Sequence, residues 1–410
     1  MLKRLAAALL FATFLLSAQE ELATGQGVPT AAEINSVLKD LSSITGFRVR
    51  RQLPFALVTR AQVNQFLKDQ IRRSVKPDEI RAEETTLKKF GFVPLDFDLR
   101  KTTIDLLTEQ AAAFYDFHRK KLFISDWAAR NMRDEALVHE LGHALADQNF
   151  PIEKYLGKNS TDSEESLARE SVVEGQAEWL MIEYALRRNG KSLAEPANAR
   201  EFLKDQTDSS DSDSQYPVFS SAPLYIKRTL MFPYEEGQRF QQAVFIRDGQ
   251  GAFSEVFRKP PVSTSQILHP DRYFNNVAST SPELPKPRAH AKAFVGGSVG
   301  ELDEHVMLQQ FIDVDTARAL APKLKGATYR IDESKPKGST MLIYASEWED
   351  EGAAREYFEA YRKVLHGKWK RMEITAQDAD RIAGKSEDGY FAVTRKGARV
   401  LSEEGFAQPL

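Results

Sequence analysis

The segment ALVHELGHALADQ, residues 136–148, constrains this chain more than any other. On a helix, residues four apart share a face, so His139 and His143 project together. Leu137, Leu141, Ala144 and Leu145 add an apolar stripe that buries the helix, and Gly142 with Ala144 keeps it slim. Two imidazoles so placed can grip one zinc ion, and Glu140 can reach water at that ion without ligating it. With seven histidines in 410 residues, independent placement gives this H-E-x-x-H spacing in about one chain in a hundred. The alternative is a core helix with two hydrogen-bonded histidines, and a third ligand decides between the two readings.

Cysteine is absent, so any metal must be held by His, Asp or Glu. The segment RESVVEGQAEW, residues 169–179, places Glu170, Glu174 and Glu178 at four-residue intervals on one helix face. Like charges at that spacing repel by a few tenths of a kcal/mol per pair, roughly, and a cation between them removes the conflict. Val172, Val173, Ala177 and Trp179 make the segment too apolar for a solvated acidic face. Glu174 is the expected third ligand, with Gly175 and Ala177 small enough to let this helix approach the histidine helix.

HELGHALAD followed downstream by VEGQAE resembles the gluzincin metallopeptidases, the thermolysin-like group, and the Glu-Gly-x-Ala form resembles their aminopeptidase branch. The resemblance implies a zincin-like fold, a small sheet with an edge strand above a mainly helical lower part. It implies one zinc per chain held by His139, His143 and Glu174, with Glu140 as general base and Glu178 orienting a ligand histidine. Asp147 matches the pattern HExxHxxxD and takes a structural or supporting role. Peptide substrates would add as a strand to an exposed sheet edge, for which the hairpin at 111–125 is the natural place. The interval from His143 to Glu174 is longer than in thermolysin, and no segment matches the aminopeptidase signature for a substrate's amino terminus. The resemblance therefore implies a reaction class and not a substrate. FPYEEGQRF (232–240) and PPVSTSQILHPDRY (260–273) also resemble segments of uncharacterised exported bacterial proteins with the same metal helices. Two side chains in these segments could donate a hydrogen bond to a transition state: Tyr234, otherwise a packed aromatic, and His269, otherwise a helix-end or core histidine.

The remaining chain frames these segments. Lys3 and Arg4, an apolar run from Leu5 to Leu16, then Ser17 and Ala18 have the layout of a secretory signal over 1–18; an uncleaved membrane anchor is the alternative. Residues 19–29 read as flexible. Helices are expected at Thr30–Leu41, from Thr59 to about Arg72, and at Lys76–Phe90, with strand formers at 48–58. The hairpin at 111–125 turns at His118–Lys121, and a long helix runs from Thr161 to Arg188. DQTDSSDSDSQYP (205–217) reads as a mobile loop without the glycine and final glutamate of an EF-hand. Helices punctuated by Pro233, Gly237, Gly249, Gly251 and Pro260–Pro261 follow. SPELPKPRAH (281–290) marks a boundary between a metallopeptidase domain at 30–285 and an α+β module at 291–406. In that module helices are expected at 301–311, 316–324 and 349–365, and strands at 327–331, 340–345, 382–384 and 389–395.

The fold class is therefore α+β. A net charge of −3, from 56 basic and 59 acidic side chains, offers no broad footprint for nucleic acid. The expected function is an exported zinc-dependent peptidase, periplasmic or extracellular, acting on a peptide or protein. The alternative is a catalytically silent binding or assembly protein of the cell envelope on the same scaffold. Contact with a membrane follows only if the N-terminal segment is retained, and the sequence leaves the oligomeric state open.

Overall fold

Thr30 opens the first regular element with a full capping box: its hydroxyl accepts from the Glu33 N–H, and the Glu33 carboxylate accepts from the Thr30 N–H. In the computed structural model, residues 29–74, 76–110, 113–127, 130–157, 162–205, 216–334 and 338–410 are described. The segment expected as a secretory signal (1–18), residues 19–28 and most of the segment expected as a mobile loop (206–215 of 205–217) lie outside them. No helix among the described residues is long and apolar enough to cross a membrane.

The N-terminal part begins with α1 (Ala31–Thr45), strand β1 (Phe55–Val58), α2 (Arg60–Ser74), α3 (Pro77–Phe90) and α4 (Leu99–Gln110). Pro77 occupies the first turn of α3, and Gly91 ends it at φ 76°, a left-handed cap that glycine adopts without strain. The strand expected across 48–58 is confined to 55–58, and Arg50 and Arg51 instead give their N–H groups to Gln148. Helix α4 was not anticipated; only one face of it is buried, through Leu99, Thr103, Leu106 and Leu107. Strands β2 (Ala113–Asp116) and β3 (Lys121–Ser125) form the expected hairpin. They complete a three-stranded sheet of order β1-β3-β2, β1 parallel to β3 and β2 antiparallel to it, which leaves β2 on an edge.

Helix α5 (Arg130–Asn149) carries the histidines, and α6 (Ser163–Arg188) the glutamates. Asp162 caps α6 and Asn189–Gly190 ends it. After α7 (Pro196–Asp205), α8 (Leu224–Asp248) runs straight through Pro233 and Gly237, two residues expected to break it. Pro233 removes one intrahelical hydrogen bond, but Ile226, Leu230, Phe232, Phe240 and Val244 bury α8 and hold it helical. Helix α9 (Ala252–Arg258) and two one-turn helices, Thr264–Leu268 and Pro270–Phe274, close this part.

Residues 275–290 have no regular secondary structure. Beyond them come β4 (Ala291–Val299), α10 (Glu301–Phe311), α11 (Val314–Leu320), β5 (Leu324–Ser334), β6 (Thr340–Trp348), α12 (Glu351–Lys368), β7 (Met372–Gln377), β8 (Arg381–Ser386), β9 (Gly389–Lys396) and β10 (Arg399–Phe406). The strands form one antiparallel sheet of order β4-β5-β6-β10-β9-β8-β7. Three of them, β4, β7 and β10, were not anticipated: β4 and β7 are the largely exposed edges, and β10 carries Glu403, Glu404 and Gly405 in place of strand formers. The architecture is thus α+β with a C-terminal antiparallel sheet. One apolar core runs through both parts. Polar contacts cross between them too: Tyr225 donates to Asp303 (2.7 Å), and the Leu302 N–H donates to the Thr264 hydroxyl (3.3 Å).

Candidate metal centre

His139, Glu140 and His143 on α5 and Glu174 on α6 are each only 1% exposed. Glu174 Oε2 lies 3.1 Å from His139 Nε2 and 3.4 Å from His143 Nε2. An ion with tetrahedral ligands at about 2.0–2.1 Å sets its ligand atoms roughly 3.3–3.4 Å apart, and Glu174 Oε2 stands at about that separation from each histidine nitrogen. Within the cluster, His143 Nε2 and Glu174 Oε1 are buried without a hydrogen-bond partner. Imidazole nitrogens and a carboxylate facing one another are all acceptors unless protonated, so a shared cation or protons must sit among them. His139, Glu140 and His143 also bring ligand atoms within 4.8 Å of one another. Glu140 is otherwise engaged, because its Oε2 accepts the Tyr115 backbone N–H at 2.7 Å. Glu174, which touches both histidine Nε2 atoms, is the better third donor.

Small residues bring the helices together, in a different arrangement from the one expected. Gly142 on α5 faces Ala177 on α6: a Cβ at Gly142 would lie 3.5 Å from the Ala177 Cα, ordinary contact. Gly175 does not serve this contact. A Cβ there would fall 2.0 Å from the carbonyl carbon of Gly237, so α6 and α8 cross backbone to backbone at a glycine pair. The Glu-Gly-x-Ala segment therefore faces two neighbours at once, α5 through Ala177 and α8 through Gly175.

The flanking groups set the electrostatics. Glu178 Oε2 lies 3.3 Å from His139 Nδ1, so the ring of His139 sits between two carboxylates. Burial pulls His139 down, but Glu174 and Glu178 outweigh it and push the group up to about 10. His143 is lowered by burial, with Glu174 opposing. Burial raises Glu174, yet the two histidines hold it down at about 2. Burial is also the main reason that Glu140 rises to about 8, with His139 partly countering.

Tyr234, on α8, stacks over the His139 ring with centroids 6.1 Å apart at 27°. Burial, and then the carboxylates Glu174, Glu170, Glu140 and Glu178, keep its phenol protonated far above the usual range. Asp147 makes no hydrogen bond to a histidine and acts on His143 only through its charge: it accepts from the Tyr115 hydroxyl and from Lys120 Nζ, both at 2.8 Å, and so ties the β2–β3 hairpin to α5. His269 is not brought to this cluster. Its Nε2 lies 2.7 Å from Glu301 Oε1, where α10 meets the one-turn helices, because Pro270 turns the chain there and Arg272 shares the same carboxylate.

Three contributors escaped the sequence: the Tyr115 N–H on Glu140, Phe117 edge-on to His143 at 5.8 Å, and Gly237 beneath Gly175. A backbone donor and a packed aromatic leave no motif. Gly237 left a signal, a glycine within an otherwise helical apolar segment, which marks a close approach as readily as a helix end.

Residues 294–407 match the family model described as a Domain of unknown function (DUF8575). No curated protein and no solved structure matches the chain. The matched region covers the C-terminal sheet and its helices, and every residue of the candidate metal centre lies outside it.

Proposed function

We propose that this protein is an exported zinc-dependent peptidase of zincin-like fold, with His139, His143 and Glu174 holding the metal. The observation that carries the reading is the approach of one buried Glu174 oxygen to the Nε2 atoms of both histidines of the neighbouring helix, 3.1 and 3.4 Å. A zinc ion held there would supply Lewis acidity, acidifying water and polarising a carbonyl.

The chain's own groups fit the remaining work. Glu140 is anchored through Oε2 by the Tyr115 N–H, while its buried Oε1 has no partner. A buried carboxylate with one free oxygen is suited to taking a proton from water and returning it to a leaving amine, and burial raises its affinity for that proton. Glu178, 3.3 Å from His139 Nδ1, is placed to orient that ring once the two atoms close to a hydrogen bond. Tyr234, held protonated over His139, can donate to a developing oxyanion. The edge strand β2 is tied to the site by Tyr115, and an extended peptide laid along it would pass Glu140. The intact Glu140 favours hydrolysis over a silent scaffold, since metal binding alone does not require it.

The test is metal content by mass spectrometry together with cleavage of a mixed peptide library. About one zinc per chain with cleavage is expected. In Glu140→Gln the zinc should remain while cleavage falls by about 10²–10⁴-fold. Zinc bound with no cleavage in either protein would transfer the reading to the silent scaffold, and no zinc would remove both.

A further inference from the structure

Arg133 is 8% exposed, and its Nε is buried with no hydrogen-bond partner. No carboxylate, carbonyl or aromatic ring among the described residues pairs with its guanidinium. Its Nη1 and Nη2 are not among the buried partnerless atoms, so the fork of the guanidinium reaches the surface with a charge that an arginine cannot discard and that no anion neutralises. Most other arginines fixed in this fold have a partner, as Arg272 has Glu301 and Arg330 has Asp332.

The position of Arg133 says what the partner is. It precedes Glu140 by seven residues on α5, two turns, which places it on the same helix face about 10.5 Å away. Between them Ala136 packs against Ala113 of the edge strand, as Glu140 meets Tyr115 of the same strand. Arg133, Ala136 and Glu140 thus form a row that follows β2. An extended chain advances about 3.3 Å per residue, so 10.5 Å is about three residues of a peptide laid along that row. Helix α5 begins at Arg130, so the positive end of its dipole lies on the same side.

We propose that Arg133 is a specificity residue that receives a carboxylate of the substrate about three residues from the bond at Glu140. This rests on the peptidase reading and adds a substrate class to it: peptides with an acidic side chain, or a free C-terminal carboxylate, at that distance. The guanidinium fork matches either source by paired N–H donors.

The test uses matched peptides, ending in carboxylate or amide and carrying Glu or Gln at each position near the cleaved bond. Binding is read by fluorescence anisotropy on the Glu140→Gln protein, and cleavage on the unaltered protein. A preference of about tenfold or more for one carboxylate-bearing peptide is expected in both readouts. Arg133→Met should abolish that preference, leave the neutral peptide's affinity unchanged, and melt no lower than its parent, because no ion pair or hydrogen bond is lost and the buried Nε without a partner is removed. Should Arg133→Met fail to fold, Arg133→Lys keeps the charge without the fork and should weaken the preference without reversing it. Whether terminal or side-chain carboxylates are favoured identifies the source. Discrimination in no pair, or discrimination that survives the substitution, overturns the proposal. Carboxylate-dependent binding without any cleavage would instead sink the peptidase reading and leave Arg133 standing, whereas cleavage indifferent to carboxylates would do the reverse.

Discussion

Two buried polar clusters in this molecule have opposite bookkeeping. In the C-terminal part, Tyr344 and Tyr357 donate to Glu304, while Tyr361, Ser402 and Lys368 donate to Glu404. Every hydroxyl and the ammonium there point at an acceptor, and Glu304 Oε2, the one carboxylate oxygen left over, belongs to a carboxyl that burial holds protonated. Between α5 and α6 the match is incomplete: His139 pairs with Glu174, while His143 Nε2, Glu174 Oε1 and Glu140 Oε1 are buried without partners. A closed network rigidifies a core, whereas an open one at such depth is a place prepared for something from outside. Burial and charge density are similar in the two regions, so only the matching of donors to acceptors separates structure from site.

The largest effect that would sharpen this contrast is in the closed cluster. Lys368→Met leaves Glu404, fully buried, without its cation, and should destabilise the fold by about 3–5 kcal/mol in urea unfolding while zinc content and cleavage hold. Unchanged stability would show that this cluster is not closed in the sense argued. Glu174→Gln should do the opposite. Zinc affinity falls by about 100-fold or more, beyond the usual cost of losing an outer partner, with little loss of stability in the metal-free protein; competition with a chromogenic chelator reads it.

A smaller effect is expected at the helix crossing that presents Glu174. Gly175→Ala drives a Cβ into the Gly237 backbone and should cost about 1–3 kcal/mol. Because α6 must retreat, zinc should weaken in parallel, and a variant that loses stability but binds zinc normally would separate the crossing from the site. The smallest effect concerns pH. Burial raises the Glu304 carboxyl well above its ordinary value of 4.5. The folded protein therefore keeps a proton there that the unfolded chain releases. Its contribution is complete below the unfolded value and is lost as pH rises toward the folded one, at no more than about 1.4 kcal/mol per pH unit. Glu304→Gln should flatten that part of the stability profile, measured by urea unfolding between pH 5 and 8.

Much of this was legible before any coordinates, for reasons that differ by segment. The Thr30 start of α1, the bounds of α3 and the hairpin turn at His118–Lys121 are local, and local signals survive into the fold. Pro233 and Gly237 misled because burial of α8 overrides propensity. Strand β10, with Glu403, Glu404 and Gly405 in it, became a strand only because β6 and β9 lie on either side of it.

The sequence by itself determined that His139 and His143 share one helix face and Glu170, Glu174 and Glu178 another, since helical periodicity is a property of the backbone. It also determined that no thiolate could take part. Only the tertiary structure decided that Glu174, of the three acids, reaches both imidazoles, that Gly175 opens toward Gly237 and not toward the histidines, and that Tyr115 fixes Glu140. It likewise took His269 to Glu301, and left the Arg133 Nε buried without a partner. Each of those outcomes depends on how far apart two helices or a helix and a strand come to rest. Side-chain packing sets that spacing over the whole core, and no single segment of the chain encodes it.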